Sequence, residues 1–98
     1  MDRDSAITRL KAHGAELRAM GVASLSLFGS TARGDERDGS DVDVAITLDR
    51  SQQIGLFAFA AISAQVQDWF DIPVDVVGEP ARKARFQAEI DRDRIRVF

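Results

Sequence analysis

The stretch from Leu27 to Asp43 constrains this chain more than any other part of the sequence. It reads as a strand that ends in a glycine turn, a helix start, a polar loop, and a second strand that carries two carboxylates. Because Gly29 has no Cβ, the chain can bend sharply there and a ligand can approach the bare backbone. Ser30 can cap the following helix, or direct its hydroxyl and the free N–H groups of the first turn at an anion.

Asp41 and Asp43 lie on the second strand of this stretch. Since side chains alternate along a strand, both carboxylates project from one face, while Val42, Val44 and Ile46 project from the other. The Cα atoms of the two aspartates would lie roughly 6.5 Å apart. Carboxylates at this spacing can share one divalent ion or hold two ions about 4 Å apart, the geometry of in-line phosphoryl chemistry. The stretch therefore predicts a phosphate site beside a metal site.

The joint spacing of the two elements is specific. Gly29-Ser30, ten intervening residues and Asp41-Val42-Asp43 resemble the core motif of the polymerase-beta-type nucleotidyltransferases. The fuller string, Gly29-Ser30-Thr31-Ala32-Arg33-Gly34 with Ser40-Asp41-Val42-Asp43-Val44, is similar to the minimal nucleotidyltransferase (MNT) subgroup. That subgroup includes the MntA-type antitoxins paired with HEPN-domain toxins. The resemblance covers essentially the whole chain and implies an α/β (α+β) fold, with a small mixed or antiparallel sheet of three to four strands packed by helices.

The hydrophobic pattern agrees with such a fold. It predicts helices over residues 4–20, 51–70 and 79–91, and strands over residues 22–28, 41–48, 72–77 and 94–98. Pro73 cannot donate to a strand ladder, so the third strand is expected either to lie at an edge or to start there. No linker divides the chain, and we expect residues 1–98 to form a single domain.

Asp75 interrupts the apolar run of the third strand. Aspartate is disfavoured in strands and is costly to bury without a partner. The residue is therefore either an outward-facing, solvated side chain or a third carboxylate beside Asp41 and Asp43. The resemblance favours the second interpretation, because the family carries a third acidic residue on the neighbouring strand and Asp75 matches it.

The resemblance also implies a role for each residue of the motif. The catalytic and metal-binding residues are Asp41, Asp43 and Asp75, and the nucleotide-binding residues are Gly29, Ser30 and Arg33. The three carboxylates would hold Mg²⁺, with a two-ion site expected, and the glycine-serine turn would bind the β- and γ-phosphates of ATP. Asp75 would lie on the acceptor side, as a metal ligand or as the general base.

Arg33 has two interpretations from the sequence. Its guanidinium fork suits a phosphate oxygen. It equally suits a structural ion pair with Asp35 or Asp38.

The activity implied by the resemblance is transfer of a nucleoside monophosphate, AMP from ATP, to a hydroxyl of a partner protein. In the MNT subgroup the acceptor is a tyrosine of the HEPN ribonuclease toxin, which is silenced by the modification. This chain contains no tyrosine, so it cannot modify itself on that residue type. The alternatives are an antitoxin that neutralises its partner by binding alone, and a nucleotidyltransferase for small molecules.

A hetero-oligomer with the toxin is expected, with a homodimer as the alternative. Ile54, Leu56 and Phe57 add apolar surface that one small sheet does not require. They therefore belong either to a partner or dimer face or to a broad core helix.

Composition narrows the remaining possibilities. Residues 1–81 carry 7 basic and 13 acidic side chains, a net charge of −6, which argues against general binding to nucleic acid. No apolar run is long enough to span a membrane, and the charged start does not resemble a secretory signal. The chain has no cysteine. Together these features lead us to expect a cytoplasmic protein.

Overall fold

The computed structural model describes all 98 residues of the chain. Five helices surround a four-stranded sheet. The helices are α1 (Arg3–Ala12), α2 (Gly14–Ala19), α3 (Gly29–Arg33), α4 (Leu56–Asp68) and α5 (Ala84–Asp93). The strands are β1 (Val22–Phe28), β2 (Val42–Leu48), β3 (Val74–Gly78) and β4 (Ile95–Arg96).

The sheet is mixed, with the strand order β3-β2-β1-β4. β1 pairs antiparallel with both β2 and β4, whereas β2 and β3 run parallel. This arrangement confirms the predicted fold class. β3 lies at an edge and begins at Val74, directly after Pro73, so both positions that Pro73 allowed are found in the structure. The register sets Phe28 opposite Asp43, and Asp43 opposite Asp75.

Both faces of the sheet are covered. On one face, apolar residues of β1 and β2 pack against α1, α2 and α4, in a core that includes Leu10, Leu17, Leu25, Leu27, Val44, Ile46, Ile62 and Val66. On the other face, Ile90 of α5 packs against Phe28 and Ala45. Ser26 of β1 is also buried, with 1% of its surface exposed. Its hydroxyl accepts a hydrogen bond from Arg94 Nη1 at 3.0 Å.

The helix predicted over residues 4–20 is divided into α1 and α2 at His13. His13 leaves helical geometry with φ −106° and ψ 13°. Its imidazole stacks on Trp69, with ring centroids 3.8 Å apart, and its Nδ1 lies 2.9 Å from Glu16 Oε1. These contacts, one of them to a residue far along the chain, accompany a helix break that the periodicity of residues 4–20 does not indicate.

The other two helices begin later than predicted. α4 begins at Leu56 rather than at residue 51, because the carboxylate of Asp49 accepts hydrogen bonds from the backbone and hydroxyl of Ser51 and holds a turn there. α5 begins at Ala84 rather than at residue 79. The side chain of Gln87 accepts a hydrogen bond from the Ala81 N–H at 2.8 Å and so stabilises the non-helical segment before α5.

The apolar excess near the start of α4 is divided between core and surface. Ile54 packs against the main core. Leu56 and Phe57 are 80% and 90% exposed, so the interpretation as a broad core helix is wrong for these two residues. None of the five helices has the length and apolar character that crossing a bilayer requires.

Candidate active site

Asp43 lies in β2 where that strand passes the turn between β1 and α3. It is half-buried and sits opposite Phe28, the last residue of β1. The next residue, Gly29, has φ +77°, and a Cβ at this position would overlap Oδ2 of Asp43. Glycine is therefore required here for two reasons, the backbone conformation and the close approach of the carboxylate.

Asp75 and Asp41 are both close enough to this carboxylate for their charges to raise its pKa. The parallel register between β2 and β3 sets Asp75 directly beside Asp43, and residues in register share one face of a sheet. Asp41 comes two residues before Asp43, just ahead of β2. Both neighbouring carboxylates are exposed, whereas Asp43 is only partly accessible.

The pKa of Asp43 is raised from 3.8 to about 6. Burial is the largest cause, followed by the negative charges of Asp75, Asp41 and Glu89, while the positive charge of Arg33 acts in the opposite direction. A half-buried carboxylate surrounded by three other carboxylates costs free energy to ionise. The site is thus electrostatically suited to a cation.

No group of three or more acidic or histidine side chains is close enough to hold a metal ion by itself. The donor set nevertheless fits Mg²⁺, since Mg²⁺ prefers oxygen ligands and is commonly bound by one or two carboxylates together with waters and substrate phosphates. Asp43 and Asp75 provide such a pair, with Asp41 adjacent to it. The expected ligand set would therefore be completed by a nucleotide.

The glycine-serine turn leaves polar groups open beside these carboxylates. α3 begins at Gly29, so Ser30 lies within its first turn and does not cap it; no side chain caps this helix. The backbone C=O of Ser30 accepts hydrogen bonds from Gly34 and Asp35, which closes the helix. The first-turn N–H groups have no side-chain partner, and so remain able to bind an anion.

Arg33 forms a structural ion pair, which was one of the two interpretations of this residue from the sequence. Its Nε donates to Asp35 Oδ2 at 3.1 Å, and its Nη1 donates to Asp93 Oδ2 at 2.7 Å. Asp38 is not a partner in either bond. Nη2 makes no hydrogen bond within the chain, so one edge of the guanidinium remains available to a ligand.

Two acidic residues of α5 at this site were not found by sequence reasoning. Glu89 contributes to the raised pKa of Asp43. Asp93, with a side chain only 3% exposed, accepts hydrogen bonds from both Arg33 and Arg92. The amphipathic pattern of α5 indicates which of its residues face inward, but it does not indicate which face of the sheet the helix covers.

Paired carboxylates beside a turn with open backbone N–H groups suit the class of proteins that transfer phosphoryl or nucleotidyl groups with the help of a metal ion. The comparisons with known proteins narrow this class. The model of the nucleotidyltransferase domain family matches residues 10–97. The chain belongs to the nucleotidyltransferase domain family, and the protein is a nucleotidyltransferase.

Solved structures share the fold over nearly the whole chain. One is provisionally described as a minimal nucleotidyltransferase; it is 25% identical with a TM-score of 0.77, and the match covers 97% of this chain and 95% of that one. A chain from a toxin–antitoxin complex with AMP-PNP is 17% identical with a TM-score of 0.70, and the match covers 100% of this chain and 73% of that one.

A third structure contains a tri-AMPylated HEPN toxin from Shewanella oneidensis in complex with an MNT antitoxin. Its matching chain is 15% identical with a TM-score of 0.66, and the match covers 94% of this chain and 71% of that one. Comparison with curated protein sequences finds no match.

Proposed function

We propose that this nucleotidyltransferase transfers AMP from ATP to a hydroxyl group of a partner protein, and that it is the antitoxin of a HEPN-type ribonuclease toxin. The observation that carries the proposal is the pairing of Asp43 with Asp75 beside the Gly29 turn. Support for the nucleotide and the partner comes from the solved toxin–antitoxin structures with the same fold, one with AMP-PNP and one with an AMPylated toxin. A ribonuclease toxin acts in the cytoplasm, so the proposal includes that location, and it treats residues 1–98 as one catalytic domain.

In the proposed site, Asp41, Asp43 and Asp75 would hold Mg²⁺ together with the phosphates of the nucleotide. Bound Mg²⁺ would neutralise the negative charge that develops on the phosphoryl group during transfer. The N–H groups at Gly29 and Ser30 bind the β- and γ-phosphates.

Arg33 performs two tasks in this proposal. Its bonds to Asp35 and Asp93 fix the side chain, and its free Nη2 donates to a phosphate oxygen. The two sequence interpretations of Arg33 are therefore compatible with each other.

The proposed reaction forms one bond and breaks one. The acceptor oxygen bonds to the α-phosphorus of ATP, and the bond between that phosphorus and the α,β-bridging oxygen breaks. Pyrophosphate leaves with the bonding electrons. Asp75 is on the acceptor side, where it either accepts the hydroxyl proton or would be a ligand of the metal while water accepts the proton.

Intact-protein mass spectrometry of the partner tests this proposal. The product of the neighbouring gene is co-expressed with the wild-type chain, with Asp43→Asn, and with Asp68→Asn as a matched control. Asp68 is an exposed carboxylate at the end of α4. We expect the partner to gain the mass of one or more AMP groups with the wild type and the control, and to gain none with Asp43→Asn. A partner that gains the same mass with Asp43→Asn would overturn the mechanism.

An antitoxin that neutralises by binding alone is the second candidate function. The exposed side chains of Leu56 and Phe57 offer apolar surface to a partner, which this alternative and the catalytic antitoxin both require. On this alternative, the partner would co-purify unmodified, and Asp43→Asn would still neutralise the toxin in cells. Loss of neutralisation in Asp43→Asn, with the complex intact, would exclude it.

A further inference from the structure

β3 is hydrogen-bonded to a neighbouring strand on one side only. The Glu79 N–H donates to the Ile46 C=O at 2.8 Å, and the Pro73 C=O accepts from the Val42 N–H at 3.0 Å. In a parallel ladder, alternate residues direct both of their backbone groups at the same neighbour. The odd-numbered residues over 73–79 therefore face β2, and the even-numbered residues between them point to the open edge.

The first part of this open edge is occupied by a side chain of α4. Gln67 Nε2 donates to the Ile72 C=O at 2.9 Å, and Gln67 Oε1 accepts from the Val74 N–H at 2.9 Å. One side-chain amide thus takes the place that a peptide group of an added strand would have. Beyond it, the outward backbone groups of Val76 and Gly78 have no partner, because β3 pairs only with β2.

A cavity of about 650 Å³ lies at this unpaired part of the edge. Phe59 of α4 and Phe86 of α5 contribute aromatic walls, and Val76 and Gly78 belong to its lining. A Cβ on Gly78 would lie 3.2 Å from Phe59 Cε2, so the absence of a side chain lets the ring approach the strand closely. The cavity therefore combines open backbone groups with space for an apolar side chain.

Two cations, Arg82 and Lys83, also line the cavity. Both are exposed, and neither forms an ion pair within the chain. They contrast with the acidic body, where residues 1–81 carry a net charge of −6. Charge complementarity thus favours an acidic ligand at this edge.

The cavity is close to the candidate active site. Val77, another lining residue, is two positions after Asp75, and it is on the same face of the sheet. The two Cα atoms are about 7 Å apart at the usual rise of a strand. A ligand in the cavity can therefore extend to Asp75.

We propose that the open edge of β3 is the docking site for an extended, acidic segment of the acceptor protein. The segment adds to the sheet beside β3, pairing its main chain with Val76 and Gly78, and brings the acceptor hydroxyl to Asp75. One apolar side chain enters the cavity, and acidic side chains contact Arg82 and Lys83. This inference rests on the proposed function, because it assigns the surface that presents the acceptor.

Amide exchange measured by NMR tests the docking mode directly. The probe is the capped peptide Ac-Glu-Leu-Tyr-Leu-Glu-NH₂, with two controls, a lysine-for-glutamate version and a version N-methylated at alternate residues. We expect the Val76 and Gly78 amides to exchange rapidly in the free protein and about tenfold more slowly with the acidic peptide, as for newly formed ladder bonds. Both control peptides should leave the exchange of these two amides unchanged.

Charge reversal on the protein separates a specific contact from a general effect of charge. Arg82→Glu/Lys83→Glu should weaken binding of the acidic peptide about tenfold, the loss expected for two exposed ion pairs. Lys11→Glu/Arg18→Glu makes the same change in net charge at residues outside the cavity, and it should change binding less than about twofold.

The inference fails if Val76 and Gly78 are already protected in the free protein, if no peptide binds at millimolar concentration, or if ATP rather than the peptide protects these amides. ATP protection would assign the cavity to the nucleotide. The proposed function is tested separately, by mass spectrometry of the peptide after incubation with the protein, ATP and Mg²⁺, which detects a nucleotide added to the peptide tyrosine. Protection of the Val76 and Gly78 amides without nucleotide transfer to the peptide supports the docking site and counts against the proposed function. Nucleotide transfer without protection of these amides supports the proposed function and counts against the docking site.

Discussion

Asp43 is a half-buried carboxylate with three acidic neighbours and one basic neighbour. In the absence of a cation, its ionisation is opposed both by burial and by the charges of Asp41, Asp75 and Glu89. Such an arrangement destabilises the folded protein at neutral pH, and it becomes favourable only when a cation is bound. The residue thus illustrates a conflict between stability and the chemistry of the site.

Replacement of Asp43 should therefore stabilise the metal-free protein. Its folded-state pKa of about 6 lies above the ordinary value of 3.8, so the folded state holds the proton more tightly than the unfolded state. The contribution of Asp43 to the free energy of unfolding falls as the pH rises from the ordinary pKa to the folded-state pKa, and the loss is complete above the latter. The shift in the pKa of Asp43 corresponds to about 3 kcal/mol of unfolding free energy. Solvent screening at a half-exposed site reduces this contribution to about 1 kcal/mol.

We expect Asp43→Asn to raise the Tm by about 5 °C at about pH 7.5 in EDTA, and to have little effect at about pH 3.5. Thermal unfolding followed by circular dichroism across this pH range provides the measurement. A Tm difference that does not vary with pH would contradict the electrostatic explanation.

Asp93 acts on the site through Arg33. Its buried carboxylate holds the guanidinium at 2.7 Å, whereas Asp35, the other partner, is 60% exposed. We expect Asp93→Asn to raise the KM for ATP about tenfold with a smaller change in kcat, since Arg33 loses its rigid anchor while the reacting groups remain. The matched variant Asp35→Asn should stay within about twofold of the wild type.

Steady-state pyrophosphate release gives both constants for these variants. The double variant Arg33→Ala/Asp93→Asn distinguishes positioning from general damage. In the Arg33→Ala background, Asp93→Asn should have no further effect on KM if it acts only by positioning Arg33. An equal effect in both backgrounds would show that Asp93 acts by another route.

The turn from β1 into α3 is the element on which the site depends. It reverses the chain at a residue with positive φ and brings the first turn of α3 against the carboxylate of β2. The C-terminal end of the same short helix has a second positive-φ glycine, Gly34, at φ +80°, where an added Cβ would meet no atom within 4 Å. The two glycines thus share a backbone conformation and differ only in their surroundings.

This difference allows a controlled test of the turn. Gly29→Ala and Gly34→Ala should each cost about 1 kcal/mol in unfolding free energy, because alanine is strained at positive φ. Only Gly29→Ala also displaces the Asp43 carboxylate, so it should cost more stability and reduce nucleotidyl transfer at least about a hundredfold. Chemical denaturation and transfer assays on both variants provide the comparison, and similar activities in the two would refute the proposed role of the Gly29–Asp43 contact.

The surface of the molecule carries two exposed features, a group of unpaired cations at the cavity and an apolar pair at the start of α4. Residues 82–98 carry 6 basic and 3 acidic side chains. Two of these arginines are paired within the chain, Arg92 with Asp93, and Arg94 with Glu79 and Asp91. The cations that remain unpaired include Arg82 and Lys83 at the cavity. The exposed apolar pair, Leu56 and Phe57, lies at the start of α4.

Leu56→Ser/Phe57→Ser should weaken association with the partner and leave the fold intact. Both side chains are mostly exposed, so we expect a Tm change of less than about 3 °C. The affinity for the co-expressed partner, measured by calorimetry, should fall at least about tenfold, as for two apolar contacts removed from an interface. Ala58→Ser/Ala61→Ser, at exposed positions of the same helix, is the control, and equal affinities in the two variants would exclude this surface.

The sequence by itself determined the parts of this protein that depend on local chemistry. Glycine at residue 29, the Asp-Val-Asp alternation and Pro73 each restrict the backbone or the direction of a side chain within a few residues. They therefore predicted the turn, the carboxylate-bearing strand, and either an edge position or a strand start at Pro73. The family follows from the same residues, because their joint spacing is specific.

Only the tertiary structure decided which distant residues meet. The break at His13 involves stacking on Trp69, a residue far along the chain. Glu89 and Asp93 reach the site because α5 packs on the second face of the sheet, where Ile90 is buried against Phe28 and Ala45. The periodicity of a sequence indicates that a helix has an apolar side. Which surface covers that side depends on packing across the whole fold.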